Sequence, residues 1–376
     1  MAKRWSRFSE RAARNPCDSF FLTPDSWPLF PDSLNSMIKV GIIGLGFMAA
    51  THVKAYRQVA GIEVTALCNP SGRHLDGDFS DVSGNLGLKE PLKLDMTRVR
   101  AFRDVADFLA HSGVELVDIC APTLAHPDLA IAALAAGKHV LCEKPLARTG
   151  ALARQIAEAA AGAKGFFMPA MCLRFFPDWV WVKQAIAEGR YGRVLSARFR
   201  RVAEPPGWGK NHFHDGAKSG GALLDLHIHD ADFVQFCFGR PRAVLATGYT
   251  KFSGAIDHVI AQYDVACGAL VHAEGSWAMT PGFGFNMAYT VNFERATVDY
   301  DLARGADALK ICEEGQAARV LKLEQPDGYV GEIQHLLAAI NSGKAPTIVT
   351  AADAASAVEI CEAEERSIRS GMKVVL

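Results

Sequence analysis

The sequence predicts an α/β protein in two parts, a dinucleotide-binding half of alternating strands and helices followed by a half built on a largely antiparallel sheet. Three observations carry this reading. Lys39–Ile43 is a β-branched run that leads at once into Gly44-Leu45-Gly46-Phe47-Met48-Ala49 and a helical pattern. Strand-like and helix-like stretches then alternate as far as residue 162. Later, Val194–Val202, Ala243–Tyr249, His258–Tyr263, Ala269–Gly275, Ala288–Glu294 and Ala296–Tyr300 read as successive strands joined by short turns.

A chain of 376 residues is too long for one ordinary core. Residues 1–36, basic at first and then rich in proline, read as an N-terminal extension. Residues 37–162 form the expected dinucleotide-binding domain and 163–376 a substrate-binding domain. With 40 Lys and Arg against 41 Asp and Glu, the net charge of −1 leaves no footprint for nucleic acid or an anionic membrane. No apolar stretch approaches a bilayer span, so the expected partners are small molecules or other copies of the chain. Nine cysteines, scattered singly, fit reduced thiols in the cytoplasm better than a disulfide framework or a zinc site.

In the first half, Gly44 makes the tight turn, Gly46 lets a pyrophosphate approach the backbone, and Ala49 lets the helix pack on the strand, its first N–H groups near Phe47 and Met48 facing the phosphates. The next strand, Glu63–Cys68, ends in Asn69-Pro70-Ser71-Gly72-Arg73 where a preference for NAD would place Asp or Glu. Asn69 suits a ribose hydroxyl, and Ser71 and Arg73 suit a 2′-phosphate, which favours NADP over NAD unless Arg73 is only a solvated loop charge. Residues 73–93 form an enlarged loop before a helix at Asp104–Ala110. The strand Val114–Cys120 runs into Ala121-Pro122-Thr123, and His126-Pro127-Asp128 starts a helix to Ala136. Gly137 then leads into Lys138–Cys142, a buried strand that delivers Glu143-Lys144-Pro145 to a sheet edge, where ligands sit in open α/β sheets. Pro122, Thr123 and His126 converge beside Lys144, and a helix from Thr149 to Ala163 and a strand at Gly165–Pro169 follow.

In the second half, chemistry concentrates between Ser219 and Asp232. Gly220 and Gly221 can start a helix close against a ligand, and Asp225 and His229, four apart, project from one helix face as an acid/base pair. His227 and Asp230 read as structural. These side chains are also metal ligands, but a helix scatters them and no second cluster completes a shell, so no metal is expected.

With Gly44–Ala49, Glu143-Lys144-Pro145 and Asp225-x-x-x-His229 in view, the chain from Met37 onward resembles the Gfo/Idh/MocA oxidoreductase family. The resemblance implies an N-terminal Rossmann domain, a doubly wound parallel sheet, and a C-terminal α/β domain with a large, mostly antiparallel open sheet that packs in homodimers or homotetramers. It implies hydride transfer between NAD or NADP and a secondary alcohol or ketone of a sugar, polyol or sugar acid. It makes Lys144 the cofactor-proximal catalytic lysine, Asp225 a substrate-orienting carboxylate and His229 the proton acceptor. The family's Arg-Phe turn has its counterpart in Met171–Pro177, with Cys172 where members often carry Asn; Arg174 either binds a substrate carboxylate or pairs within the protein. In the loop 205–214, Trp208 can stack on a sugar ring and His212 or His214 can reach its hydroxyls, or the loop is simply held by a buried Trp. Two other functions stay open: redox-assisted elimination with a retained cofactor, as in some family glycosidases, and a non-catalytic dinucleotide sensor.

Overall fold

The computed structural model describes residues 37–84, 91–207, 209–323 and 326–376, with 210 and 211 by backbone alone. The expected extension 1–36 and Trp208 lie outside the described residues.

The first sheet is wholly parallel, in the order β3-β2-β1-β4-β5-β6. Its strands are β1 (Ile38–Ile43), β2 (Ile62–Cys68), β3 (Arg100–Phe102), β4 (Leu116–Ile119), β5 (His139–Glu143) and β6 (Phe167–Ala170). Between them run α1 (Phe47–Tyr56), α2 (Val105–His111), α3 (His126–Ala135) and α4 (Gly150–Ala161). The strand order reverses between β1 and β4, which opens a crevice beyond their carboxyl ends. β4 and most of β5 are buried, as strands covered on both faces must be. Residues 163–170, expected in the second domain, hold β6, which pairs with β5 and closes the first sheet.

The second sheet has nine strands, β7 (Val194–Ala203), β8 (Ala243–Tyr249), β9 (His258–Asp264), β10 (Leu270–Ser276), β11 (Phe285–Phe293), β12 (Ala296–Asp301), β13 (Leu309–Glu313), β14 (Arg319–Val320) and β15 (Val374–Val375), in the order β14-β13-β12-β11-β7-β10-β9-β8-β15. All of its pairings are antiparallel except β10 (Leu270–Ser276) with β7. One face packs on α9 (Ile228–Phe238) and α11 (Ala351–Ser370), preceded in the chain by α5 (Pro177–Ala187), α6 (Lys210–Phe213), α7 (Gly216–Ser219), α8 (Gly221–Asp225) and, before α11, α10 (Gly328–Ser342). The core there centres on Trp179, which meets Phe199, Phe233, Tyr289 and Tyr300 ring to ring. The opposite face carries exposed Leu245, Ile260 and Leu270.

No helix among the described residues is long and apolar enough to cross a membrane. Cys68, Cys120, Cys142, Cys172, Cys267, Cys312 and Cys361 are free thiols.

Candidate active site

A cavity of about 530 Å³ runs from the β1/β4 crevice to the inner edge of the second sheet. Its first half is the glycine turn. Gly44 has φ of +86°, and a Cβ there would lie 2.5 Å from the backbone of Ala121, so only glycine fits both the turn and the neighbouring strand end. A Cβ on Gly46 would meet nothing within 4 Å, since it would point into the cavity; this is the room a pyrophosphate needs. No side chain caps α1, which leaves the first N–H groups of the helix, at Phe47 and Met48, directed at the same space. The cradle therefore fits a dinucleotide.

Of the residues expected at the cofactor, Gly44, Gly46, Phe47, Met48, Asn69, Ser71, Arg73, Pro122, Thr123, Glu143 and Lys144 all line the cavity. His126 does not. It is buried beneath the wall, with Nδ1 2.8 Å from the Pro145 carbonyl and Nε2 2.8 Å from that of Ala121, so it ties together the turns after β4 and β5. Asn69 Oδ1 accepts from the amide and hydroxyl of Ser71, a self-bonded loop in which Arg73 stays exposed. The enlarged loop then returns over the glycine turn: His74 Nδ1 lies 2.6 Å from the Leu45 carbonyl, its Nε2 2.8 Å from Asp81, and Asp81 lies 3.6 Å from Arg73. Sequence reading passed over His74 and Asp81 because nothing local ties them to the turn they touch.

The catalytic candidates converge from both sheets. Lys144, joined to Pro145 by a cis peptide bond, donates from Nζ to the Asp225 carbonyl at 2.7 Å and lies 3.7 Å from its carboxylate. Both side chains are only 15% exposed, enough to meet a ligand while excluding bulk water. Asp225 and His229 do not share a helix. α8 ends at Asp225, α9 begins at Ile228, and the break sits at Leu226 and His227. The anchor is His227, whose Nε2 lies 3.1 Å from Tyr263 Oη and 3.2 Å from Glu364 in the core. Gly221, with φ of +71°, starts α8 against the Ile256 backbone, which a Cβ would approach to 2.5 Å; its closeness serves the protein and not a ligand. The two helices still bring Asp225 and His229 to one cavity wall. Burial, reinforced by the Lys144 and Arg201 cations, holds the His229 pKa well below its ordinary 6.5, so the imidazole is neutral.

On the substrate side, His212 lines the cavity and burial lowers its pKa, whereas His214 is exposed and packs on Phe252 away from it. Cys172 lines the wall as a thiol whose pKa burial pushes up. Arg174 is not a substrate residue. It is 3% exposed, grips Asp232 with Nε at 2.8 Å and Nη2 at 2.6 Å, and also reaches Asp353 and the Ile348 carbonyl. Arg174→Ala would leave Asp232 buried without its cation, and we expect a loss of about 3–5 kcal/mol in denaturant unfolding. The KM of the remaining folded enzyme should stay within about twofold. Residues the sequence reading missed are Arg201, Trp277, Phe285, Met287 and Tyr329, which complete the wall from distant strands and α10.

Behind Lys144 lies a buried polar cluster. His52 Nδ1 is 2.8 Å from Asp118, and His52 Nε2 is 3.2 Å from Glu143 and 3.6 Å from Glu332 on α10. Burial opposes a charge on His52, but Asp118 and Cys120 outweigh it and raise the pKa, whereas burial drives Glu332 towards its neutral acid. Glu143 accepts the Lys144 backbone N–H at 3.0 Å, which connects the cluster to the site. Ligand atoms of His52, Asp118 and Cys120 lie within 4.8 Å of one another, the one such metal-like grouping among the described residues; its members hydrogen-bond each other.

Residues 38–171 match the profile of an oxidoreductase family with an NAD-binding Rossmann fold, and residues 179–299 that of the GFO/IDH/MocA C-terminal domain. An inositol 2-dehydrogenase of Rubrobacter xylanophilus is 27% identical over 89% of this chain and 92% of its own. A levoglucosan dehydrogenase of Pseudarthrobacter phenanthrenivorans is 30% identical, over 56% of this chain and 53% of that enzyme. A levoglucosan dehydrogenase solved with NADH and L-sorbose superposes with a TM-score of 0.76 at 22% identity, covering 90% of this chain and 99% of that one, and supports the fold.

Proposed function

The chain belongs to the Gfo/Idh/MocA oxidoreductase family, and we propose that it interconverts a secondary alcohol and a ketone on a sugar, polyol or sugar acid using a nicotinamide dinucleotide. The carrying observation is the meeting of Lys144 with Asp225 at 2.7 Å, beside a neutral His229, in a cavity that opens onto the glycine turn. A bound nicotinamide supplies the hydride acceptor or donor. Gly44, Gly46 and the start of α1 would hold its phosphates, and Pro122, Thr123 and Glu143 would line the cavity beside it. His229 takes the hydroxyl proton as base in oxidation. Lys144 donates to the reacting oxygen, and Asp225 orients Lys144 and a neighbouring hydroxyl.

For the cofactor, the reading favours NADP, through Ser71 and Arg73. The Arg73–Asp81 contact is exposed on both sides and so costs little to break, but the Asp81 charge opposes a phosphate at the same rim. Titrating NADH and NADPH by fluorescence tests this. Arg73→Ala should weaken NADPH about tenfold and NADH less than about twofold, and Asp81→Asn should move the ratio the other way. A wild-type preference for NADH would remove the roles given to Ser71 and Arg73. The free thiols of Cys68, Cys142, Cys172 and Cys361, buried in the core, support a cytoplasmic location, and exposed Leu245, Ile260 and Leu270 on the open sheet face support a homodimer or homotetramer.

The test of the function is to supply the preferred cofactor with a panel of polyols, sugars and sugar acids and follow nicotinamide absorbance. Turnover without net absorbance change would replace the dehydrogenase reading with redox-assisted elimination.

A further inference from the structure

We infer that Arg201 is the anion-recognising residue of this site and that the substrate carries a carboxylate, so the reacting alcohol or ketone belongs to a sugar acid. The inference rests on the oxidoreductase reading above and narrows its substrate class.

Arg201 lies in β7, whose Ala197, Phe199 and Arg201 alternate towards the buried face while Arg198 is exposed on the other. It is 4% exposed and lines the cavity with Lys144, His229 and Met287. Its Nε donates to Asp230 at 2.8 Å, and Nη1 is directed at the thioether of Met287 at 3.3 Å, a weak acceptor. Nη2 has no partner among the described residues. A buried guanidinium donor left unmade is costly, so the fold tolerates it where something else completes it.

The same domain shows what a closed arginine looks like. Asp232 meets Arg174 with both carboxylate oxygens, on Nε and Nη2, and a backbone carbonyl takes Nη1. Asp230 meets Arg201 with one oxygen only, and its Oδ1 is itself without a partner among the described residues. The Nη1/Nη2 edge of Arg201 thereby lacks any oxygen acceptor among the described residues and is covered by the cavity-lining Met287 thioether; a planar carboxylate that displaces this flexible side chain would match the edge with two parallel bonds where a hydroxyl offers one atom.

The surrounding charges favour the same ligand. Lys144 and Arg201 are near enough to His229 for both cations to act on it. The acids nearby are engaged elsewhere: Asp225 with Lys144, Asp230 with the far side of Arg201, and Glu143 with the Lys144 backbone and His52. Phe285 and Trp277 enclose this end of the cavity, where an anion would lose water and take its hydrogen bonds from the arginine.

The experiment compares sugar acids, both aldonates and uronates, with their own primary amides and with the matching neutral polyols, using full-length enzyme saturated with its preferred cofactor. We expect kcat/KM for the best acid to exceed that for its amide by about 100-fold or more, and calorimetric titration to detect binding of the acid but not of the amide. Arg201→Lys keeps the charge but loses the planar edge; it should raise KM for the acid at least about tenfold with a smaller change in kcat, and leave the cofactor titration unchanged. Amides or neutral polyols used as well as the acids would overturn the inference and leave the oxidoreductase reading standing, as would cofactor-loaded enzyme that neither binds nor turns over any acid. Failure of wild-type protein to bind either cofactor would overturn both. Should Arg201→Lys not fold, the acid-against-amide comparison on wild-type enzyme still decides.

Discussion

Lys144→Met should lower kcat by about three to four orders of magnitude while leaving dinucleotide affinity within about threefold. Methionine keeps the length and apolar stem of the side chain, so the cavity wall survives. The charge-assisted donor is lost. Nζ stands between the two sheets, held by the Asp225 carbonyl at 2.7 Å and near its carboxylate at 3.7 Å, and no other cation occupies that point among the described residues. Lys144→Arg should recover little, because a planar fork cannot replace a point donor in a space shaped for an ammonium. Stopped-flow single turnover separates the chemical step from product release, and a drop of less than tenfold in that step would remove Lys144 from the chemistry.

His229→Ala should cost about 10²- to 10³-fold in the oxidation rate and also alter the pH profile. Burial, then Lys144 and Arg201, hold the His229 pKa well below 6.5. A depressed pKa means the base form persists as pH falls, so wild-type oxidation should stay level from pH 7 to 6.5 and decline only below that. Reduction needs the protonated imidazole and should rise over the same acid range. In His229→Ala both limbs attributed to this group should vanish. An oxidation rate that already falls between pH 8 and 7 in the wild type, or limbs unchanged in the variant, would assign the proton to another residue.

The two halves of the fold were legible because their signals are local. The glycine turn, the strand ending in Glu143-Lys144 and the alternating strands of the second half each state their geometry within a dozen residues. The split between α8 and α9 was not legible, because it is set by His227 reaching Tyr263 and Glu364, residues far along the chain. Arg174 and Arg201 could not be ranked from type alone; each is a buried arginine beside an acidic partner. The period-two pattern of β7 did hold a usable signal, since Arg201 shares parity with Ala197 and Phe199 and must therefore face inward. Asp81 stayed hidden because a loop's return path is decided by tertiary contacts such as His74 with Leu45.

The polar cluster behind Lys144 bears on how such enzymes can be recombined. His52 and Glu143 come from the first domain and Glu332 from the second, all within 3.6 Å of His52 Nε2 and almost wholly buried. A chimera that grafts this nucleotide-binding half onto a different substrate half would bury the imidazole against a foreign surface unless the incoming helix brings its own carboxyl at the position of Glu332. The halves are therefore interchangeable parts only as matched pairs, and the matching is written in one histidine and two glutamates.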